Sequence, residues 1–232
     1  MNRDVIIACD FSSKIETLSF LEKFSKEGLK PYIKIGMELF YKEGPDFVRE
    51  VVDGGYQVFL DLKLNDIPNT VHKAMKNIAS LNVSMTNVHS LGGIEMMKAA
   101  YEGLMEGTTL SKKPELIAVT LLTSIDKNIM ENELGIKGEV ANNVKRLALN
   151  TKAAGLDGVV CSPWEAGLMK ELGLISVTPG IRFEGAAVGD QKRVSTPALA
   201  KEIGSTYIVV GRPITAAQDP VANYKKCIDE FI

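Results

Sequence analysis

Short apolar runs alternate with amphipathic stretches along the whole chain. The runs occupy residues 5–9, 32–35, 57–62, 83–88, 116–122, 158–161, 174–177 and 206–210. Most are almost continuously apolar, the pattern of parallel strands covered on both faces. Between them, apolar positions recur with a helical period over 15–27, 45–53, 68–80, 93–106, 140–154, 198–202 and 224–231. Ser13 is placed to cap the first helix. Gly28, Gly107 and Gly155 stand where helices end, a position that often takes left-handed backbone. The polar stretch 103–114 reads as a loop before the fifth strand.

Eight strand–helix units in 232 residues leave about 29 residues each, which suits a single-domain α/β (β/α)8 barrel over residues 1–232. The rival is an open doubly wound sheet. No GxGxxG follows the first strand, and no GxxxxGK[ST] occurs. There is also no linker-like or repetitive stretch to divide the chain.

Charge narrows the partners. With 27 Lys+Arg against 29 Asp+Glu, the chain lacks the basic excess of a nucleic-acid binder. The first apolar run is too short for a signal or membrane segment. Cys9, Cys161 and Cys227 are odd in number and widely spaced, with no CxxC pair. They suit a reducing, cytoplasmic setting and no zinc site.

In a barrel the chemistry belongs at the C-terminal ends of the strands. Asp10, Lys34, Asp61, Lys63, His89, Thr120 and Thr123 all fall there, with Asp66 just after the third strand. Asp61 and Lys63 are two apart and so share a strand face, while Leu62 turns to the helices. Lys34 lies between two isoleucines, and an ammonium buried there needs a carboxylate. Asp61 is the natural partner, and Asp66 would extend a Lys–Asp–Lys–Asp chain. An ion-pair network that only ties strands together is the plain structural alternative.

At the other end of the chain, 178–183 and 211–215 follow strands seven and eight, where barrels often bind phosphate. Arg212 offers a forked donor pair. The segment 185–193, rich in small and polar residues, reads as a lid carrying Gln191.

Together these residues carry a resemblance. Ala8-Cys9-Asp10, Lys34-Ile35-Gly36, Asp61-Leu62-Lys63-Leu64-Asn65-Asp66-Ile67-Pro68-Asn69-Thr70, Val88-His89, 118–124, 178–182 and 210–214 occur in the expected order. The chain resembles the bacterial type of orotidine 5'-phosphate decarboxylase. A bare Asp-x-Lys is shared with related sugar-phosphate barrels; the longer run from Asp61 to Thr70 is specific. Where the family often has His, this chain has Asn65, outside the charged set.

The resemblance implies a (β/α)8 homodimer with shared active sites that converts the small-molecule nucleotide orotidine 5'-monophosphate to UMP and CO2, without metal or organic cofactor. It implies that Lys34, Asp61 and Lys63 form the charged array and that Asp66 and Thr70 enter from the partner subunit. Asp10 and Lys34 would touch the ribose, and Thr123, with Ser124, the pyrimidine. Arg182, Gln191, Gly211 and Arg212 would serve the phosphate and lid. Ile67, Thr120 and Pro179 complete the expected contacts. No nucleic acid and no membrane is expected as a partner.

The remaining chemistry-bearing residues read as structural. His72 and His89 are the only histidines, and both suit hydrogen-bonding duty. Cys9, Cys161, the methionines and Trp164 read as packing. Three other functions compete: a Mg2+-dependent barrel acting on a ketose or hexulose phosphate, a non-catalytic nucleotide sensor, and a structural subunit. The first wants a second carboxylate facing Asp61, where Lys34 stands. The sensor has no use for an internal charged array.

Overall fold

The eight apolar runs become one closed sheet. In the computed structural model, which describes residues 3–109, 113–184 and 195–232, the strands are β1 (Asp4–Ala8), β2 (Tyr32–Gly36), β3 (Val58–Leu64), β4 (Met85–His89), β5 (Glu115–Val119), β6 (Gly158–Val160), β7 (Ile175–Thr178) and β8 (Tyr207–Val210). They pair in parallel in chain order, and β8 returns to β1 to close the barrel. Strand alternation divides the core. Ile6, Ala8, Tyr32, Phe59, Met85, Ile117, Val177 and Val209 fill the interior. Val5, Ile7, Ile33, Ile35, Val58 and Leu60 face the helices. Leu62 belongs to this outer layer, as its position two residues beyond Leu60 requires.

Helices lie between the strands. They are α1 (Lys14–Ser25), α2 (Met37–Asp53), α3 (Pro68–Ala79), α4 (Gly93–Gly107), α5 (Lys127–Asn132), α6 (Val140–Ala153), α7 (Ala166–Glu171), α8 (Pro197–Ile203), α9 (Arg212–Thr215) and α10 (Pro220–Phe231). Ser13 caps α1, accepting from the Glu16 N–H. Gly28 and Gly155 take positive φ, as helix-ending glycines do. Among the described residues, no helix is long and apolar enough to cross a membrane.

Several expectations need correction. Helix α2 begins at Met37 rather than at residue 45; Gly44, at φ 76°, interrupts it before Pro45 restarts the turn. The expected loop 103–114 starts too early, because α4 runs to Gly107. Gly107 does not cap by left-handed backbone. It lets α4 touch α3: a Cβ there would fall 2.2 Å from the Lys76 carbonyl oxygen, and one on Gly103 2.1 Å from that of His72. Strand β5 ends at Val119, leaving Thr120 and Thr123 beyond it. Trp164 is 57% exposed, so its ring is not core packing.

The α3–α4 contact yields a prediction whose sign is informative. In an open helix Gly→Ala gains up to about 1 kcal/mol of helix propensity. At Gly103 the methyl meets backbone, and overpacking costs about 1–3 kcal/mol. Gly103→Ala is therefore expected to lower the urea midpoint; a raised midpoint would mean the helices separate without penalty.

Candidate active site

The polar groups stand one layer above the interior apolar stack, at the C-terminal mouth. Lys34, on β2, is flanked by Ile33 and Ile35, which face outward, so its own side chain points in. Its ammonium lies 2.7 Å from Asp10 Oδ1 and 3.5 Å from Asp61 Oδ2. The Lys63 ammonium lies 2.7 Å from Asp61 Oδ1. Within one chain the alternating array is thus Asp10–Lys34–Asp61–Lys63. Gly36 makes room for it: a Cβ there would stand 3.1 Å from both Asp10 Oδ1 and Lys34 Nζ.

Burial and charge oppose each other at both central groups, and charge prevails. Asp61 is 7% exposed. Burial raises its carboxyl, but Lys34, Lys63 and the hydrogen bonds from Lys63 and Asn87 outweigh it, leaving the carboxyl below its ordinary value. Lys34 is 8% exposed. Burial lowers its ammonium, yet Asp61 and Asp10 carry it above the ordinary lysine value. Both groups are charged at neutral pH.

Lys63 does not sit on a regular strand. Its φ is +52°, left-handed backbone that is uncommon outside glycine. The β3–β4 register moves from Leu60 opposite Thr86 to Leu64 opposite Val88, four residues against two. The i, i+2 reading of Asp61 and Lys63 reaches the right partnership through the wrong backbone. What holds the bulge is Asn87 on β4, which sequence reasoning missed. Its side-chain oxygen accepts the Lys63 N–H at 2.8 Å, and its amide nitrogen donates to Asp61 Oδ1 at 2.7 Å. The signal was present: an amide side chain two before His89, on the same strand face as His89 and the inward Met85.

Two adjoining cavities meet over Lys34, Pro179 and Val209. One, of about 340 Å³, has Asp61 and Lys63 on one wall and Val119, Leu121 and Leu122 on another; Thr123 and Ser124 reach its rim. The other, of about 560 Å³, holds Asp10, Gly180, Arg182, Gly211 and Arg212. Gly180 has φ +83°, a conformation that favours glycine.

Other expected residues lie elsewhere. Thr120 is fully buried and its hydroxyl donates to the Val160 carbonyl at 2.9 Å; it lines neither cavity. Asp66 is exposed and accepts from the Ile67 N–H at 2.7 Å. Ile67 and Thr70 are exposed beside it, and none of the three lines its own chain's cavities. Gln191 and the expected lid 185–193 lie outside the described residues. His72 faces Glu106, which also pairs with Lys76, and so links α3 to α4. His89 is lowered from its ordinary value by burial and then by the Lys63 charge, and its buried Nδ1 has no hydrogen-bond partner among the described residues. Burial pushes the Cys9 thiol up to about 12, so it is no nucleophile.

The family model described as orotidine 5'-phosphate decarboxylase / HUMPS family matches residues 3–227. The chain belongs to this family. It is 54% identical over 225 residues to a protein named orotidine 5'-phosphate decarboxylase from Enterococcus faecalis, a match spanning 95% of this chain and 94% of that one. Its identity to the protein of that name from Bacillus cereus is 50% over 229 residues, spanning 97% and 95%. A crystal structure of orotidine 5'-phosphate decarboxylase from Lactobacillus acidophilus superposes with a TM-score of 0.89 at 42% identity, covering 99% of each chain.

The buried charge sets a pH dependence. Because the Asp61 carboxyl lies below its ordinary 3.8 when folded, its stabilising effect is complete above that pH. It is lost as the pH falls through the folded value. The stability gap between wild type and Asp61→Asn is expected to persist down to pH 3.8 and to narrow below it, read by urea denaturation. A gap that stays constant far into acid would place the stabilising interaction elsewhere.

Proposed function

We propose that this chain decarboxylates orotidine 5'-monophosphate to UMP and CO2, in pyrimidine nucleotide synthesis. The observation that carries the proposal is the joined cavity. It has two arginines at one end and a Lys–Asp–Lys array at the other, with Asp10 and Lys34 between. A nucleoside monophosphate has matching parts: a dianionic phosphate, a ribose with hydroxyls, and a flat ring for the apolar slot. The slot is walled by Val119, Leu121 and Leu122.

The chemistry follows from the charges. Breaking the bond between C6 and its carboxylate releases CO2 and leaves an electron pair on C6, in the plane of the ring. No adjacent carbonyl can take that pair as an enolate would. The Lys63 ammonium stabilises it and then supplies the proton that completes the C6–H bond; the amine regains a proton from solvent. A charge already in place assists the transition state more than the ground state, because nothing needs to reorganise. Asp61 orients the ammonium and stands as a like charge toward the substrate carboxylate. Lys34 holds Asp61 ionised and, with Asp10, faces the ribose. Arg182 and Arg212, beside Gly180 and Gly211, hold the phosphate.

The reading uses no metal or organic cofactor. A divalent ion at Asp61 would need a second carboxylate where the Lys34 ammonium stands, which disfavours the ketose- or hexulose-phosphate alternative. It also pairs two chains, each completing the other's array with Asp66 and Thr70. Support comes from the outward placement of both residues. Met37, Tyr41, Ile67 and Leu91, exposed apolar side chains on segments following β2, β3 and β4, also support it. A cytoplasmic setting accords with three buried, widely spaced cysteines.

Two measurements test the proposal. The purified chain is expected to decarboxylate orotidine 5'-monophosphate, followed by its near-UV absorbance, with the same rate after exhaustive EDTA treatment. Loss that Mg2+ restores would favour the metal-dependent alternative. For the shared site, Lys63→Ala and Asp66→Ala, each inactive alone, are mixed under subunit exchange. A mixed dimer has one site with both lesions and one with neither, so activity is expected to recover to about a quarter of wild type. No recovery despite proven exchange would return Asp66 to its own subunit.

A further inference from the structure

We propose that Asn87 is a positioning residue of this reaction: one buried amide holds both the Asp61 carboxylate and the backbone of Lys63, and so aims the ammonium. The inference rests on the decarboxylase reading of the site. Asn87 itself is fully buried on β4 and is not among the residues lining either cavity. It therefore acts through its neighbours.

The two bonds make opposite demands. The Lys63 N–H needs an acceptor, and the Asp61 carboxylate needs a donor. A side-chain amide offers both on adjacent atoms, and only one orientation serves them. Asp61 Oδ1 thereby receives two donors, Lys63 Nζ at 2.7 Å and Asn87 Nδ2 at 2.7 Å, while Oδ2 faces Lys34. The carboxylate cannot rotate without breaking one of them. The Lys63 backbone is at φ +52° inside a bulge, a conformation that persists only where the surroundings impose it. The bond to Asn87 ties that turn to the neighbouring strand.

Replacement by carboxyl gives a readout that a purely structural role would not show. Protonated, a carboxyl can still donate to Asp61 and accept from Lys63; ionised, it sets two anions against each other. The groups bonded to this position are Asp61 and Lys63 on β3; Lys34 on β2 pairs with the other oxygen of Asp61, and His89 lies two residues on along β4. The partner of Asn87 on β5 is the apolar Ile117. Asn87→Asp is therefore expected to retain activity at low pH and lose kcat as the pH rises, whereas the wild type shows no such limb.

The experiment compares wild type, Asn87→Leu and Asn87→Asp in steady-state decarboxylation across pH, with UMP affinity measured in parallel. Asn87→Leu is expected to lower kcat about 100-fold, the cost of misplacing a reacting group by about an ångström. UMP affinity should change by no more than about threefold, since the phosphate and ribose groups come from other strands. If Asn87→Leu does not fold, Asn87→Asp at low pH carries the test, because protonation should rescue it. A kcat for Asn87→Leu within about threefold of wild type would overturn the positioning role. So would an Asn87→Asp profile parallel to the wild-type one, or an equal loss of kcat and UMP binding. A wild type with no decarboxylase activity would instead overturn the reading on which the inference rests.

Discussion

The site depends on one buried anion. Asp61 lies inside a barrel mouth with almost no solvent contact, where an unpaired carboxylate would cost several kcal/mol or give up its charge. It stays ionised because three neighbouring strands converge on it: Lys34 from β2, Lys63 from its own strand and Asn87 from β4. Unit charges 4 Å apart attract by about 4 kcal/mol at an intermediate dielectric, enough to offset the desolvation but not to make the array a stability device. Apolar residues of the same volume would fill the space with less compensation. The array is better understood as a store of fixed charge, held ready for a reaction that develops negative charge beside it.

Barrel closure explains how one carboxylate can collect partners from three strands. Parallel register places Gly36 opposite Asp61 and Lys34 opposite Phe59, so the charged layer sits directly on the interior apolar stack. That stack keeps water from below, and the cavity walls keep it from one side. The cavity end that holds Arg182 and Arg212 is carried by β7, β8 and the segments that follow them. The arginines and the Asp61–Lys63 pair thus stand on different strands and the segments after them. On the proposed reaction, the phosphate can be gripped equally in ground and transition states while the array acts on the reacting carbon.

Much of this was legible in the residues alone. Eight apolar runs, each long enough for a buried strand, located every strand of the barrel, and strand-end polarity marked the mouth. What escaped notice was short or cooperative. Helices α5, α7 and α9 have four to six residues, too few to display a helical period. The first half of α2 was hidden by Gly44 and Pro45, which look like a break because they are one. Thr120 stands at the expected strand end, yet its hydroxyl is taken by the Val160 carbonyl. Asn87 escaped for a different reason. Its role exists only once β3 has bulged against β4, and a bulge held by a side chain on another strand leaves no periodic trace.

That bulge also connects two features that otherwise look independent. Four residues of β3 span the distance that two residues of β4 cover, so the chain gains slack where the strand ends. Part of the slack turns Lys63 back over Asp61. The strand ends at Leu64, and Asp66, Ile67 and Thr70 are exposed, with Pro68 opening α3. A β3 that continued straight would keep its last carboxylate over its own mouth, but it would lose the backbone geometry that aims Lys63. Left-handed backbone at Lys63 is thus followed within three residues by an exposed Asp66. On the shared-site reading, a second chain is the source of the remaining charge, because Asp66 is exposed and lines neither cavity of its own chain.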